Sequence, residues 1–141
     1  MTPVDEQFLR RAIALAAQAR AAGEAPFGSL LVGPDGEVLI EEYNTVLGDR
    51  DISAHPELKV AKWAARELER SVAAGTTMYT SCQPCPMCTG AIQRSGLGRV
   101  VYALSNAQFA ERAPGGGWPD VPQDGPGLPD EAWSVLDGYY T

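Results

Sequence analysis

His55-Pro56-Glu57 and Pro84-Cys85-Pro86-Met87-Cys88 bring together one imidazole, two thiols three positions apart and a carboxylate two positions beyond the imidazole. His55 is the only histidine of the chain. Zinc takes nitrogen and sulfur ligands, and a site with three protein ligands keeps a fourth position free for water, as catalytic rather than structural sites do. Two thiolates and a neutral imidazole balance the ion's charge while leaving it a Lewis acid. Glu57 stands close enough to move protons without serving as a ligand. Each motif alone has a plainer reading. A lone histidine is usually a packed or solvated ring, and a lone CxxC can be half of a structural zinc knuckle or a redox pair. Taken together they resist those readings. A structural site needs a fourth protein ligand, no second histidine exists, and Cys82 is the only spare thiol. A redox pair leaves His-x-Glu unexplained.

The elements that must position these groups follow from local pattern. Pro56 suits the first turn of a helix, where its missing N–H has no partner to lose. Val60, Ala61, Ala64 and Leu68 form the inner stripe of that helix, Lys59, Lys62, Arg66 and Arg70 are expected to face water, and Gly75 ends it. A second ligand-bearing helix begins near Cys85 and runs through Ala91 and Ile92 toward Gly96. Both ligand groups therefore fall at helix starts, whose free N–H groups and positive dipole end favour thiolates. Cysteines three apart there point to one side. If the two starts meet, a metal sits between them with Glu57 beside its open position. Zinc lowers the pKa of bound water to about 7. Glu57 would take up the water proton and hand it to a ring nitrogen, then to a leaving amine.

Elsewhere the pattern alternates strand and helix. Thr2-Pro3-Val4-Asp5 reads as a capped helix start, Phe8, Ala12, Leu15, Ala16 and Ala19 recur at helical spacing, and Gly23 is a stop. The many alanines imply close packing on a sheet. Residues 27–32 and 38–43 read as a β-hairpin around Gly33-Pro34-Asp35-Gly36, and residues 44–53 as a loop. Residues 76–81 and 99–104 read as strands, and the alternation in this half argues for parallel pairing in an α/β layer structure. From Ala113 to Asp130 glycine and proline supply about half the residues, which rules out regular structure there. Trp118, Leu128 and Trp133 favour partial ordering of this stretch against the body or a neighbouring subunit, and residues 130–136 suit a short final helix.

With 141 residues, the chain fits one domain: 1–112 as the body and 113–141 as its Gly/Pro-rich tail. No window approaches a membrane span, and the start lacks a signal-peptide pattern, so a cytoplasmic location is the expectation. Three cysteines, two in a ligand-like pair, suit a reducing compartment. The net charge of −7 and scattered Lys and Arg make a nucleic-acid partner unlikely.

His-x-Glu followed by Pro-Cys-x-x-Cys resembles the signature of the zinc-dependent cytidine and nucleobase deaminase superfamily. The wider stretches Asp51-Ile52-Ser53-Ala54-His55 and Met78-Tyr79-Thr80-Ser81-Cys82-Gln83-Pro84-Cys85 through Ile92 resemble its guanine deaminase and tRNA adenosine deaminase branch. The resemblance covers roughly Val4 to Phe109. It implies a three-layer α/β/α fold with a mixed five-stranded sheet, Zn2+ on His55, Cys85 and Cys88, and Glu57 as the catalytic proton shuttle. It further implies that Asn44 hydrogen-bonds the substrate ring, that Phe27 packs on its face, that backbone groups of Ala54 and Cys85 touch it, and that the protein is a homodimer. On the residues alone, Asn44 is a turn residue and Phe27 a core residue. There are departures. Pro56 stands where relatives often have alanine, and Gln83 replaces a common glutamate. Ser105, Asn106 and Gln108 occupy the loop where guanine deaminases tend to carry an acid.

The expected activity is hydrolytic deamination of a free nucleobase, nucleoside or related amino-heterocycle, guanine- or cytosine-like, with release of ammonia. Two alternatives stand beside it. One is a tRNA-specific adenosine deaminase, which the acidic tail disfavours. The other is a non-catalytic zinc-stabilised interaction module whose metal is closed by Cys82 or a partner's side chain. Cys82 itself reads as a buried thiol at a strand end or as a redox-sensitive group.

Overall fold

The computed structural model describes every residue except Pro114, Gly116 and Thr141. Helix α1 (Pro3–Ala21) starts at a capping box: Thr2 Oγ1 accepts from the Asp5 N–H while the Asp5 carboxylate accepts from the Thr2 N–H. Strands β1 (Gly28–Val32) and β2 (Val38–Tyr43) form the expected hairpin. Strand β3 (Thr77–Cys82) pairs antiparallel with β1, and β4 (Arg99–Leu104) pairs parallel with β3. The sheet order is β2-β1-β3-β4.

Alternation along the strands splits the core into two layers. Leu30, Val32, Tyr79 and Val101 face α1, where they pack with Leu9, Ala12 and Leu15. Leu31 and Met78 face the opposite side and pack with Val60, Ala61 and Ala64 of α3 (Pro56–Glu67). Ala91 and Ile92 of α5 (Pro86–Ser95) join this second layer. The alanines of α1 do what their abundance suggested. A Cβ built on Gly28 would lie 2.5 Å from Leu15 Cβ and 2.6 Å from both Ala12 O and Ala16 N, so helix and strand touch with no room between them.

The expected three-layer α/β arrangement is present, but the sheet has four strands among the described residues, not five. The chain after β4 turns straight into helix α6 (Asn106–Arg112), capped by Ser105, which accepts from the Gln108 N–H. The stretch that follows is too rich in proline to donate a ladder of N–H groups. Three smaller expectations also change. The loop 44–53 contains a one-turn helix α2 (Val46–Asp49). The helix expected to run to Gly75 breaks at Leu68, whose backbone is extended, and resumes as α4 (Arg70–Ala74). Lys59 does not face water; it is half-buried and bonds to the end of β2.

Helix α7 (Pro129–Leu136) matches the expected final helix. Every described residue beyond Ala113 is exposed, including Leu128 and Trp133, so these two side chains do not anchor the tail on the body. Among the described residues no helix is long and apolar enough to cross a membrane.

Candidate metal centre and substrate cavity

The two ligand-bearing helices pack side by side, and their N-termini meet. His55 is the N-cap of α3 and Cys85 the N-cap of α5, each followed by a proline that pre-sets the first helical φ. Cys88, one turn into α5, is fully buried. Cys85 Sγ and Cys88 Sγ lie 3.6 Å and 3.5 Å from His55 Nδ1, and the three ligand atoms all fall within 4.8 Å of one another. Zn–S bonds of about 2.3 Å and Zn–N bonds of about 2.0 Å at tetrahedral angles place S and N about 3.5 Å apart. The donor set therefore has the spacing that a shared zinc ion requires, with Nδ1 as the imidazole donor. Cys82 Sγ is not part of this cluster, although Cys82 lines the adjoining cavity.

The electrostatics point the same way. Burial lowers the pKa of His55, which keeps the ring neutral and its nitrogen lone pair free. Burial, then Glu57 and Cys85, push the Cys88 thiol far above its ordinary range. Burial also raises the pKa of Glu57. A group of acids that hinder one another's ionisation needs a cation, and the side chains lining the cavity include no Lys or Arg. A divalent ion on His55, Cys85 and Cys88 supplies that charge and restores the thiolates.

Glu57 sits at the second position of α3, 6% exposed. Ser29 Oγ lies 3.4 Å from Glu57 Oε1 and 2.8 Å from Thr80 Oγ1. Ser29 and Thr80 are register partners on β1 and β3, both buried, on the sheet face that meets α3. Sequence reading did not single out this hydroxyl pair. The available signal was a pair of small polar residues inside otherwise apolar strands, but their pairing depends on a register that spacing does not reveal.

In front of Glu57 opens a cavity of about 610 Å³, within the range of small-molecule sites. Phe27 and Phe109 pack against each other in its wall, ring centroids 5.9 Å apart and planes 56° apart. Asn44 also lines it and is 4% exposed. Its N–H donates to Phe27 O at 3.0 Å, and its Oδ1 accepts from the Val46 N–H at 3.0 Å. With Oδ1 engaged, the amide presents Nδ2 as a donor. Ala54 is buried and not among the cavity-lining residues; its N–H donates to Asp51 O, and its carbonyl accepts from the Thr45 N–H. Trp118 lines the outer rim while remaining 75% exposed. Gln83 and Asn106 join the wall beyond Cys85. Gln83 Oε1 accepts from the Asn106 N–H at 3.0 Å, so the substituted side chain serves the start of α6. Ser105 and Gln108 are taken up by a mutual capping box.

Comparison with known proteins agrees with this geometry. The chain is 38% identical over 107 residues to guanine deaminase from Bacillus subtilis, covering 75% of this chain and 68% of that protein. It is 38% identical to a probable cytosine deaminase from Schizosaccharomyces pombe, over 72% of this chain and 61% of that protein. It is 33% identical to a tRNA-specific adenosine deaminase from Haemophilus influenzae, over 72% of this chain and 59% of that one. The chain thus spans less than two thirds of several curated relatives it matches, and only 8% of a chloroplastic tRNA(adenine(34)) deaminase from Arabidopsis thaliana. The crystal structure of the Bacillus subtilis guanine deaminase superposes with a TM-score of 0.77 at 28% identity, covering 100% of this chain and 96% of that one. Residues 2–104 match the model of the cytidine and deoxycytidylate deaminase zinc-binding region, a span that includes the converged His55, Cys85 and Cys88, and the chain belongs to this zinc-binding deaminase family.

Proposed function

We propose that the protein hydrolytically deaminates a neutral amino-heterocycle, a guanine- or cytosine-like base or its nucleoside, releasing ammonia. One observation carries this reading: a buried carboxylate, Glu57, opens onto a small-molecule cavity directly beside a three-donor zinc set. Bound zinc supplies Lewis-acid activation of water at neutral pH. The chain's residues do the rest. Glu57 accepts the water proton as the water oxygen bonds to the amidine-like ring carbon, and delivers it to the adjacent ring nitrogen. It then carries the second proton of the former water to the exocyclic amine, so that the C–N bond breaks and ammonia leaves. Burial raises the proton affinity of Glu57, which suits a group that must both take and return a proton. Asn44 Nδ2 donates to a ring acceptor or carbonyl of the substrate, and the contacting pair Phe27 and Phe109 offers an apolar wall to one side of its ring.

The absence of Lys and Arg from the cavity lining favours an uncharged substrate over a phosphorylated one. The reading takes residues 1–112 as the deaminase domain and 113–141 as its tail. It takes the protein as cytoplasmic, in keeping with three unpaired cysteines, and as a homodimer that covers exposed apolar side chains such as Trp133 and Val135. A second reading, deamination of a tRNA adenosine, rests on the relatives that carry that name. The non-catalytic reading is disfavoured because Cys82 stands outside the ligand cluster.

The test is ammonia release by zinc-loaded protein from a panel of guanine, cytosine, their nucleosides, adenosine and unmodified tRNA. Release from a free base or nucleoside is expected. Release from tRNA alone selects the second reading. No release from any member, together with an X-ray absorption signature of three sulfur ligands, overturns both enzymatic readings.

A further inference from the structure

Lys59 is the one residue of α3 whose expected role the structure reverses. Its ammonium donates to Tyr43 O at 2.8 Å and to Thr45 Oγ1 at 3.0 Å, and it pairs with Glu42 Oε2 at 3.0 Å. An ammonium has three protons, and these three acceptors use them all. Tyr43 and Thr45 are the two neighbours of Asn44 in the chain. The Glu42 contact is partly exposed and contributes little. The other two are part-buried and grip the backbone carbonyl before Asn44 and the hydroxyl after it. On the far side, the Glu24 carboxylate accepts from the N–H groups of Leu47 and Gly48 at 3.0 and 2.6 Å. Between the two grips, the Val46 N–H bonds to Asn44 Oδ1.

The location matters as much as the contacts. Lys59 lies four residues after His55 and two after Glu57 on the same helix. The first turns of α3 thus hold a metal ligand, the proton shuttle and a cation that clamps the residues flanking Asn44. We propose that Lys59 is a positioning residue for substrate binding: through Tyr43 O and Thr45 Oγ1 it fixes the Asn44 amide relative to Glu57. This rests on the reading of Asn44 as a substrate donor.

Lys59→Met keeps the stem and removes the ammonium. With the free base or nucleoside that gives most ammonia in the panel above, this variant is expected to raise KM roughly tenfold while kcat changes by about twofold at most. Its zinc content should stay that of the wild type. Lys59→Arg, which retains a cationic donor, should recover part of the loss. In the Asn44→Ala background, adding Lys59→Met should change KM little, because the clamp has nothing left to position. Multiplying effects in that double variant would overturn the proposal. A second readout is independent of turnover: hydrogen exchange of the Val46 N–H, which reports the Asn44 side-chain bond. It should quicken by about tenfold in Lys59→Met. An unchanged Val46 rate would overturn the proposal whatever the activity. If Asn44→Ala itself leaves KM unchanged while Val46 exchange responds to Lys59→Met, the substrate role of Asn44 fails and the clamp survives as architecture.

Discussion

Two polar clusters built around a buried carboxylate stand on opposite faces of the sheet. One joins Asp5, Tyr79 and Arg99. The other joins His55, Glu57, Cys85 and Cys88. In the first, Arg99 donates to both Asp5 oxygens at 2.9 Å, the Tyr79 hydroxyl donates at 2.7 Å, and the Thr2 N–H donates at 3.0 Å. The anion is fully answered from within the protein. Arg99 holds the Asp5 carboxyl far below the usual range, with help from the Thr2 N–H and Tyr79. In the second, acids crowd one another beside a cavity that no Lys or Arg lines. The difference teaches how to tell structural polarity from functional polarity. A satisfied cluster ties elements together. A cluster left in deficit is waiting for a ligand.

Two changes in the second cluster would break or sharpen that contrast. Glu57→Gln removes the proposed proton shuttle without removing a member of the three-donor cluster. Turnover should fall by about 10²–10⁴-fold, the usual range for a positioned acid–base group. Zinc content should hold at the wild-type value; loss of metal would make Glu57 a ligand instead. Ser29→Ala takes away the hydroxyl behind Glu57, and kcat should fall by roughly threefold to tenfold, while loss of the buried 2.8 Å bond to Thr80 should lower stability by about 1–3 kcal/mol. A variant with wild-type kcat would reduce the Ser29–Thr80 pair to a core contact.

Changes in the other cluster should invert the pattern. Asp5→Asn should lower the melting temperature while leaving kcat near that of the wild type. Because the folded-state pKa of Asp5 is depressed, its contribution is present above about pH 4, the unfolded value, and persists until the pH falls through the lower folded value. Tyr79 works in the opposite direction. Burial, then Asp5, push its hydroxyl up to about 12, so its contribution is complete below about pH 10 and is lost as pH rises through about 12. Stability measured against pH for wild type and Tyr79→Phe should therefore converge only at the alkaline end. Convergence at neutral pH would show that the hydroxyl does not hold its partner.

The contrast also explains what the residue pattern could reveal. His55, Glu57, Cys85 and Cys88 were legible because each pair lies within one turn, where spacing fixes relative position. The capped start of α1 and the β1–β2 hairpin were legible for the same local reason. What distant pairing decides was not. Ser29 meets Thr80 only through the register of two strands 51 residues apart. Lys59 has the composition of a surface residue, and only the end of β2 arriving beside α3 turns it inward. The fifth strand was an expectation carried by resemblance, and the residues after β4 form a capped helix instead.

The absent side chain at Gly28 has a reach beyond packing. Phe27, the next residue toward the N-terminus, is a cavity wall, and the strand it leads into lies hard against α1. A single methyl there would drive a wedge between two layers and shift the start of β1, and with it the Phe27 wall. The shape of the cavity is therefore governed partly from the back of the sheet, by how tightly α1 is allowed to sit.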